Sequence, residues 1–251
     1  MKVAIISDIH GNMEALESVL SDIKREECQK IFCLGDIAMA GPEPSKTIHR
    51  IQELMSSSKD FYIIQGNTDK MLSVFSFNTQ NSIMKVNAVM ASAYYSDSQV
   101  LTEDEKNFLG SLPEKMTLEL FGVKVLLVHG SPRKNDENIF PNLQIEQVEE
   151  MIKGEEADVI FCGHTHMPCG YQTNTEQTVV NVGSVGRPFS EEPLSCYAIM
   201  EINEEDSTFG IKHKFVKYDV ETAAEKIRKR GFEGADKLAK MLLHATSRYP
   251  E

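Results

Sequence analysis

The chain has 251 residues and a mass of 28.2 kDa, enough for one large domain, or a domain with helical additions, around a sizeable core. Its 41% hydrophobic and 25% charged residues exclude a disordered or fibrous chain. The formal net charge of -12 excludes sequence-independent grip on nucleic acid or on an anionic membrane, which needs clustered Lys and Arg; a small phosphorylated ligand stays open, because metal ions can supply local positive charge.

The opening segment MKVAIISDIHGN has one Lys and a run of four apolar residues. That is short of a signal-peptide core or a membrane span, so a cytoplasmic location is expected. Short β-rich runs at Val3 to Ser7, Lys30 to Leu34 and Phe61 to Gln65 alternate with helical spacings. Leu16, Val19, Leu20 and Ile23 mark the first helix, and Ile48, Ile51, Leu54 and Met55 the second. This is the pattern of βαβ units and of an α/β fold with parallel strands. Asn12 stands where a helix cap is expected; a second reading is phosphate contact at the helix amino terminus.

Residues 70–112 turn helical and rich in Met, with Ile83, Val86, Met90 and Tyr94 on one expected face and a capping box from Thr102 to Glu105. They form a packed helical insertion or a lid over substrate, and packing is the simpler expectation. Strands are then expected at Lys115 to Leu120, Val123 to His129, Val159 to Cys162, Gln177 to Val182, Ser195 to Ile202 and Phe209 to Tyr218. One helix with Leu143, Val148 and Ile152 interrupts them. Two amphipathic helices close the chain, the first marked by Val220, Ala223, Ala224 and Ile227 and the second by Ala235, Leu238, Ala239 and Leu242. Their apolar faces serve packing or a dimer surface, which leaves a homo-oligomer open. The five cysteines show no CxxC and suggest neither a disulfide framework nor a thiolate zinc site. Cys33 and Cys162, in strand-like runs, are expected buried and reduced.

Five short motifs each follow an apolar, strand-like run: Asp8-Ile-His10, Gly35-Asp36, Gly66-Asn67-Thr68-Asp69, His129-Gly130 and Gly163-His164-Thr165-His166. Loops after parallel strands converge in α/β folds, so these distant positions are expected to become neighbours. Carboxylate, imidazole and amide oxygen, with no thiolate, make a hard-to-borderline metal site. Seven candidate ligands are too many for one tetrahedral ion and suit two ions sharing a carboxylate. The adjoining glycines allow close backbone approach. His49, His213 and His244 follow no ligand spacing and are expected at the surface.

Together the motifs resemble those of the calcineurin-like metallophosphoesterase superfamily, D-x-H, G-D, G-N-H-D/E, H and G-H-x-H, over residues 8–166. The resemblance implies a four-layer α/β/β/α sandwich of two mixed sheets in a single domain, residues 1–251, with a helical insertion at 70–112 and C-terminal helices at 219–248. It implies that Asp8, His10, Asp36 and His166 hold one divalent ion and Asp36, Asn67, His129 and His164 the other, with Asp36 shared. Manganese is expected, with Fe, Zn, Co or Ni as alternatives. A shared hydroxide would attack phosphorus in line, and the ions would neutralise the charge that develops on the phosphoryl oxygens.

One departure matters. Thr68 stands where the family places a His that contacts phosphate and helps to protonate the leaving group, and Asp69 loses that partner too. Thr68 can donate a hydrogen bond to a phosphate oxygen but supplies no proton from a suitable pKa. A similar loss marks the small bacterial and archaeal phosphodiesterase branch, which the chain resembles. The expected activity is therefore hydrolysis of a phosphodiester or phosphoanhydride in a small, nucleotide-like substrate. A dinucleoside-polyphosphate hydrolase, a protein Ser/Thr phosphatase and a non-catalytic scaffold are the alternatives. Catalytic roles fall to Asp36, Asn67, Thr68, Asp69 and His129, and substrate contacts to Asn12, Asn67, Thr68 and Arg187. The turn Asn181-Val-Gly-Ser-Val-Gly-Arg187 resembles the family's strand-end turn and places Arg187 near a substrate phosphate or base.

Overall fold

Every residue from Val3 to Ile6 is buried, although a half-buried strand would alternate. The reason is that the strand is covered on both faces: Val3 and Ile5 point into an apolar layer between two sheets, while Ala4 and Ile6 point toward helices. The computed structural model describes residues 1–247; residue 248, the expected end of the helical tail, lies outside the described residues.

The first sheet joins β1 (Lys2–Ile6), β2 (Lys30–Cys33) and β3 (Phe61–Ile63) in parallel. The second contains β4 (Met116–Leu120), β5 (Val123–Leu127), β6 (Val159–Cys162), β7 (Cys169–Gln172) and β8 (Thr178–Asn181), with β5, β6 and β8 parallel and β4 and β7 antiparallel at its edges. Strands β9 (Ser195–Ile202) and β10 (Phe209–Val216) return antiparallel to the first sheet, giving the orders β10-β9-β1-β2-β3 and β4-β5-β6-β8-β7. Phe32, Leu127, Phe161, Val180 and Met200 fill the space between the sheets.

Helices α1 (Met13–Arg25) and α2 (Pro44–Ser57) cover the outer face of the first sheet. The insertion supplies α3 (Asn67–Ser73), α4 (Phe77–Met84), α5 (Ala88–Val100) and α6 (Glu103–Ser111). Helix α7 (Ile145–Met151) covers the second sheet, and α8 (Val220–Lys229) and α9 (Ala235–Leu243) close the described chain. The layers are α/β/β/α, as expected. Ala223, Ala224, Ile227, Leu238 and Leu242 join the core that contains α1, so the apolar tail faces serve packing within this chain.

Two details differ from expectation. The single face through Ile83, Val86, Met90 and Tyr94 does not exist, because α4 ends at Met84 and Asn87 starts a new helix by accepting from the Met90 amide at 3.1 Å. Val86, between the two helices, is 88% exposed. Strand β7 was not visible in the sequence: CGYQ has no β-branched residue and sits at a sheet edge. The Thr102 to Glu105 capping box is present.

Candidate metal centre

The parallel strands deliver their carboxyl ends to one edge of the sandwich. Asp8 and His10 follow β1, Asp36 follows β2, Asn67 follows β3, His129 follows β5, and His164 and His166 follow β6. At each place the chain leaves its ladder and turns sharply. Asp8, His10, Asp36, His164 and His166 all have φ between 48° and 67°, a left-handed conformation that costs of order 1–3 kcal/mol in a residue other than Gly. Neighbouring glycines make room: a Cβ on Gly66 would stand 2.1 Å from Asp36 Oδ1, and one on Gly163 2.5 Å from Asp8 Oδ2.

Two half-sites result. In the first, His10 Nε2 and His166 Nε2 lie 3.0 Å apart, and Asp8 Oδ1 lies 3.6 Å and 3.2 Å from them. In the second, Asn67 Oδ1 lies 3.0 Å from His129 Nε2 and 2.9 Å from His164 Nδ1. Asp36 Oδ2 stands between the halves, 3.7 Å from His10 Nε2 and 3.4 Å from His129 Nε2. All seven expected ligands converge; Asp36 stands between the halves, and Asp8 Oδ1, 4.0 Å from His129 Nε2, adjoins the second half as well.

The rings are held so that lone pairs face inward. Nδ1 of His10, His129 and His166 donates to the carbonyls of Met39, Leu34 and Arg187 at 2.6, 2.7 and 2.6 Å, which leaves each Nε2 as an acceptor aimed into the site. Nitrogens that repel one another as bare acceptors fit around a cation. Asp8 Oδ1 agrees, being buried with no hydrogen-bond partner while Oδ2 accepts from the His164 amide at 3.0 Å. Burial opposes charge on His129, but the carboxylates of Asp36 and Asp8 outweigh it and push its pKa up to about 10, so that without a cation its Nε2 takes a proton in the cation's place. Burial likewise opposes charge on Asp8, and His166 and His10 outweigh it, holding its carboxyl well below the usual range. The centre is a buried anionic pocket that calls for positive charge, which divalent ions would supply.

The calcineurin-like phosphoesterase superfamily domain matches residues 1–205. The chain belongs to that superfamily. Protein MJ0912 of Methanocaldococcus jannaschii is 32% identical over 243 residues, covering 90% of this chain and 92% of its own length. An asymmetrical bis(5'-nucleosyl)-tetraphosphatase, PrpE, from Oceanobacillus iheyensis is 25% identical over 142 residues, 51% of this chain and 56% of its own. A metallophosphoesterase structure from Sphaerobacter thermophilus is 25% identical, with a TM-score of 0.76 over 98% of this chain and 100% of its own. Membership implies divalent metals, and the donors just described fit them.

The remaining expected residues differ in their placement. Thr68 is 8% exposed; its amide donates to Asp36 Oδ1 at 2.9 Å, and its Oγ1 is buried without a partner. Asp69 accepts from the amides of Asp36, Gly66 and Ile37 at 2.8 to 3.0 Å, so it positions the loop of the shared ligand. Burial and the Asp36 charge push its pKa up to about 6, against the pull of those amides. Arg187 reaches the first half-site: it lines a small cavity with His10, and its guanidinium lies 5.6 Å from the Phe189 ring centre and 3.4 Å from Met90 Sδ.

Asn12 does not face the centre. Its Oδ1 caps α1 through the Ala15 amide at 3.1 Å and its Nδ2 donates to the Gly186 carbonyl at 2.8 Å, in a fully buried setting, so the capping role uses the whole side chain. His213 is not at the surface: it is half-buried on β10 and donates to the Asn181 carbonyl at 2.8 Å. Asn181 itself was underrated. Its Nδ2 donates to Gly163 O at 2.7 Å and Thr165 Oγ1 at 2.9 Å, which braces the loop of His164 and His166. The buried pair Asp97 and Arg230, 2.6 Å apart, was also missed. Asp97 accepts from the Ala40 amide at 2.9 Å and Arg230 donates to the Gly41 carbonyl at 2.8 Å, beside the Met39 carbonyl that orients His10. Such partners carry no sequence motif, because insertion, tail and loop meet only in the fold.

Proposed function

We propose that the chain is a metal-dependent hydrolase of phosphodiester or phosphoanhydride bonds in a small, nucleotide-like substrate. The observation that carries this reading is the pair of inward-facing donor sets that share Asp36 at one sheet edge. Asp8, His10, Asp36 and His166 would hold one divalent ion and Asp36, Asn67, His129 and His164 the other; bound there, they supply Lewis acidity and an activated water. Manganese suits the mixed nitrogen and oxygen donors, as do Fe, Zn, Co and Ni. Thr68 Oγ1 stands ready to donate to a phosphoryl oxygen, and Asp69 keeps Asp36 in place.

With no imidazole at position 68, the protein lacks the family's proton donor to the leaving group, which favours esters whose leaving oxygens are stable anions. The printed activity of the Oceanobacillus relative supports dinucleoside polyphosphates as the second reading. All five cysteines are free thiols, which agrees with action in the reducing cytoplasm, and among the described residues no helix is long and apolar enough to cross a membrane. Sandwich, insertion and tail would form a single domain, since apolar side chains of the first sheet, the insertion and the tail share one core.

The test is a screen of manganese-loaded protein against phosphomonoesters, phosphodiesters, cyclic nucleotides and dinucleoside polyphosphates, with metal content measured in parallel. Turnover of diesters above monoesters is expected. Background metal content with no hydrolysis after added manganese would overturn the reading in favour of a scaffold.

A further inference from the structure

Among the described residues eleven large hydrophobic side chains are exposed, and six of them, Val74, Phe77, Met84, Val86, Tyr95 and Val100, belong to residues 74–100 of the helical insertion. The same stretch is almost free of charge. Charged residues make up 25% of the chain, yet residues 71–100 contain only Lys85 and Asp97, and Asp97 is buried against Arg230. Single exposed apolar side chains need no explanation; a concentrated, uncharged set of them marks a contact surface.

Helix α4 is the least supported element of this stretch. None of its eight residues is buried, whereas every other helix among the described residues buries at least one. A helix so short is marginal in water and takes its stability from a packed face. Ile83 packs against the core, and Phe77 meets Phe75 and Tyr95 at ring-centre distances of 5.5 and 6.3 Å, yet Phe77 remains 64% exposed. Phe77 and Met84, seven residues apart, fall on one stripe of the helix, and Val86 follows at the junction with α5.

Charge selects the occupant. The formal net charge of -12 makes two copies repel over most of their surfaces, and the insertion is where that repulsion is weakest, since its exposed charge is Lys85, of opposite sign. A strongly basic or acidic partner finds no complementary cluster there, and one Lys falls far short of the basic patch that holds a protein on an anionic membrane. Phe, Tyr and Met are side chains that interface cores favour, and Lys, Glu and Asp are those they avoid. Asn78, Asn81 and Ser82 can each donate and accept, so the face can pair with a copy of itself across a two-fold axis. The apolar faces of α8 and α9 are already used within this chain.

We infer that α4 and its junction with α5 form the interface of a symmetric dimer of this chain. The inference goes beyond the phosphoesterase reading and stands without it. Val74 and Thr79 also wall a cavity of about 210 Å³ that reaches Asn67, so the second copy would sit beside the second half-site.

The experiment is sedimentation equilibrium of manganese-loaded full-length protein from about 1 to about 100 μM. The mass should approach twice 28.2 kDa as concentration rises. Val86→Glu places a charge in the contact at a position that is 88% exposed in the single chain, so it should raise the dimer Kd at least about tenfold while the Tm of the dilute protein holds. Met84→Glu should do the same from the stripe itself. Phe215→Glu, on the edge strand β10 and 53% exposed, should leave the Kd unchanged. A mass of 28.2 kDa at every concentration overturns the inference and leaves the face to a different protein. A dimer that survives both Val86→Glu and Met84→Glu, or one that Phe215→Glu dissociates instead, overturns it as well, because the copies then meet elsewhere.

Discussion

The two half-sites of the centre meet at Asp8 and Asp36 and differ in how their other donors are buried and anchored. In the first, His10 and His166 are both buried and both anchored through Nδ1 to backbone carbonyls, and buried braces from the insertion, the tail and the 181–187 loop surround them. In the second, only His129 has that anchor, Asn67 and His164 are partly exposed, and the cavities beside His129 and Asn67, about 120 and 210 Å³, exceed the one of about 10 Å³ beside His10. The closed half suits a permanently held ion. The open half also carries the buried, unpaired Oγ1 of Thr68.

The largest expected effect comes from Asp36, the carboxylate proposed to serve both halves. Asp36→Asn should cut turnover at least a hundredfold, on the order of 3 kcal/mol in the barrier, without unfolding the protein. Metal analysis beside steady-state kinetics checks it, and near-normal turnover with full occupancy would remove Asp36 from the shared position. Next come the unshared ligands. Replacing His10 or His166 by Ala should empty mainly the first half-site, and replacing His129 or His164 mainly the second. Anomalous diffraction on each variant reads this directly; equal loss at both positions from every variant would abolish the distinction.

How much of this was legible follows the same division between motif and brace. Asp8, His10, Asp36, Asn67, His129, His164 and His166 could be read because each stands directly after an apolar strand-like run, and strand ends of an α/β fold gather at one edge. The alternation of strands with amphipathic helices likewise yields the four layers. What could not be read is whatever depends on contacts between distant segments. Asn181 gives no hint that its amide will hold the His164 loop. Val3 to Ser7 shows nothing of the left-handed turn at Asp8, since φ above zero leaves a mark mainly when the residue is Gly. The break at Asn87 looks like an ordinary polar position within a helix until its capping bond to Met90 is seen. Asn12 shows the converse: the capping signal was right, and it consumed the side chain that the phosphate reading needed.

The braces of the closed half give a smaller, pH-dependent prediction. Burial pushes the Asp97 carboxyl up to about 6, against the opposing charge of Arg230 and the bond from the Ala40 amide, with His10 a further cation nearby when protonated. The folded protein therefore binds this proton more tightly than the unfolded chain, so its contribution to stability falls as pH rises from about 4 to about 6. Arg230→Met removes the counter-charge and raises that pKa further, which extends the window upward. The variant should lose about 3 kcal/mol or more at pH 8, where an unpaired carboxylate is buried, and less at pH 5. It should also weaken metal binding roughly tenfold at the first half-site alone, because the loop that orients His10 loses its brace. Denaturation at the two pH values and metal titration check both parts; equal destabilisation at both would mean that Asp97 is not the titrating group.

The open half is tested by a change in preference between substrates, which leaves the rate on the best of them nearly untouched. Thr68 gives its amide to Asp36 and leaves Oγ1 unpaired, so it can hold a phosphoryl oxygen but cannot protonate a departing one. A poor leaving group must then depart as an alkoxide unless water or another side chain supplies the proton. General acid catalysis is worth roughly a hundredfold to ten-thousandfold, so the missing acid should show in substrate preference rather than in overall rate. Aryl diesters, whose leaving oxygens are stable anions, should react much faster than alkyl diesters. Thr68→His should narrow that gap, because an imidazole at this position can protonate the alkyl oxygen and adds little for the aryl one. The measurement is kcat/KM across diesters of graded leaving-group pKa for both proteins at equal metal content. A shallow dependence in the wild type, or an unchanged one in Thr68→His, would show that another group already donates the proton.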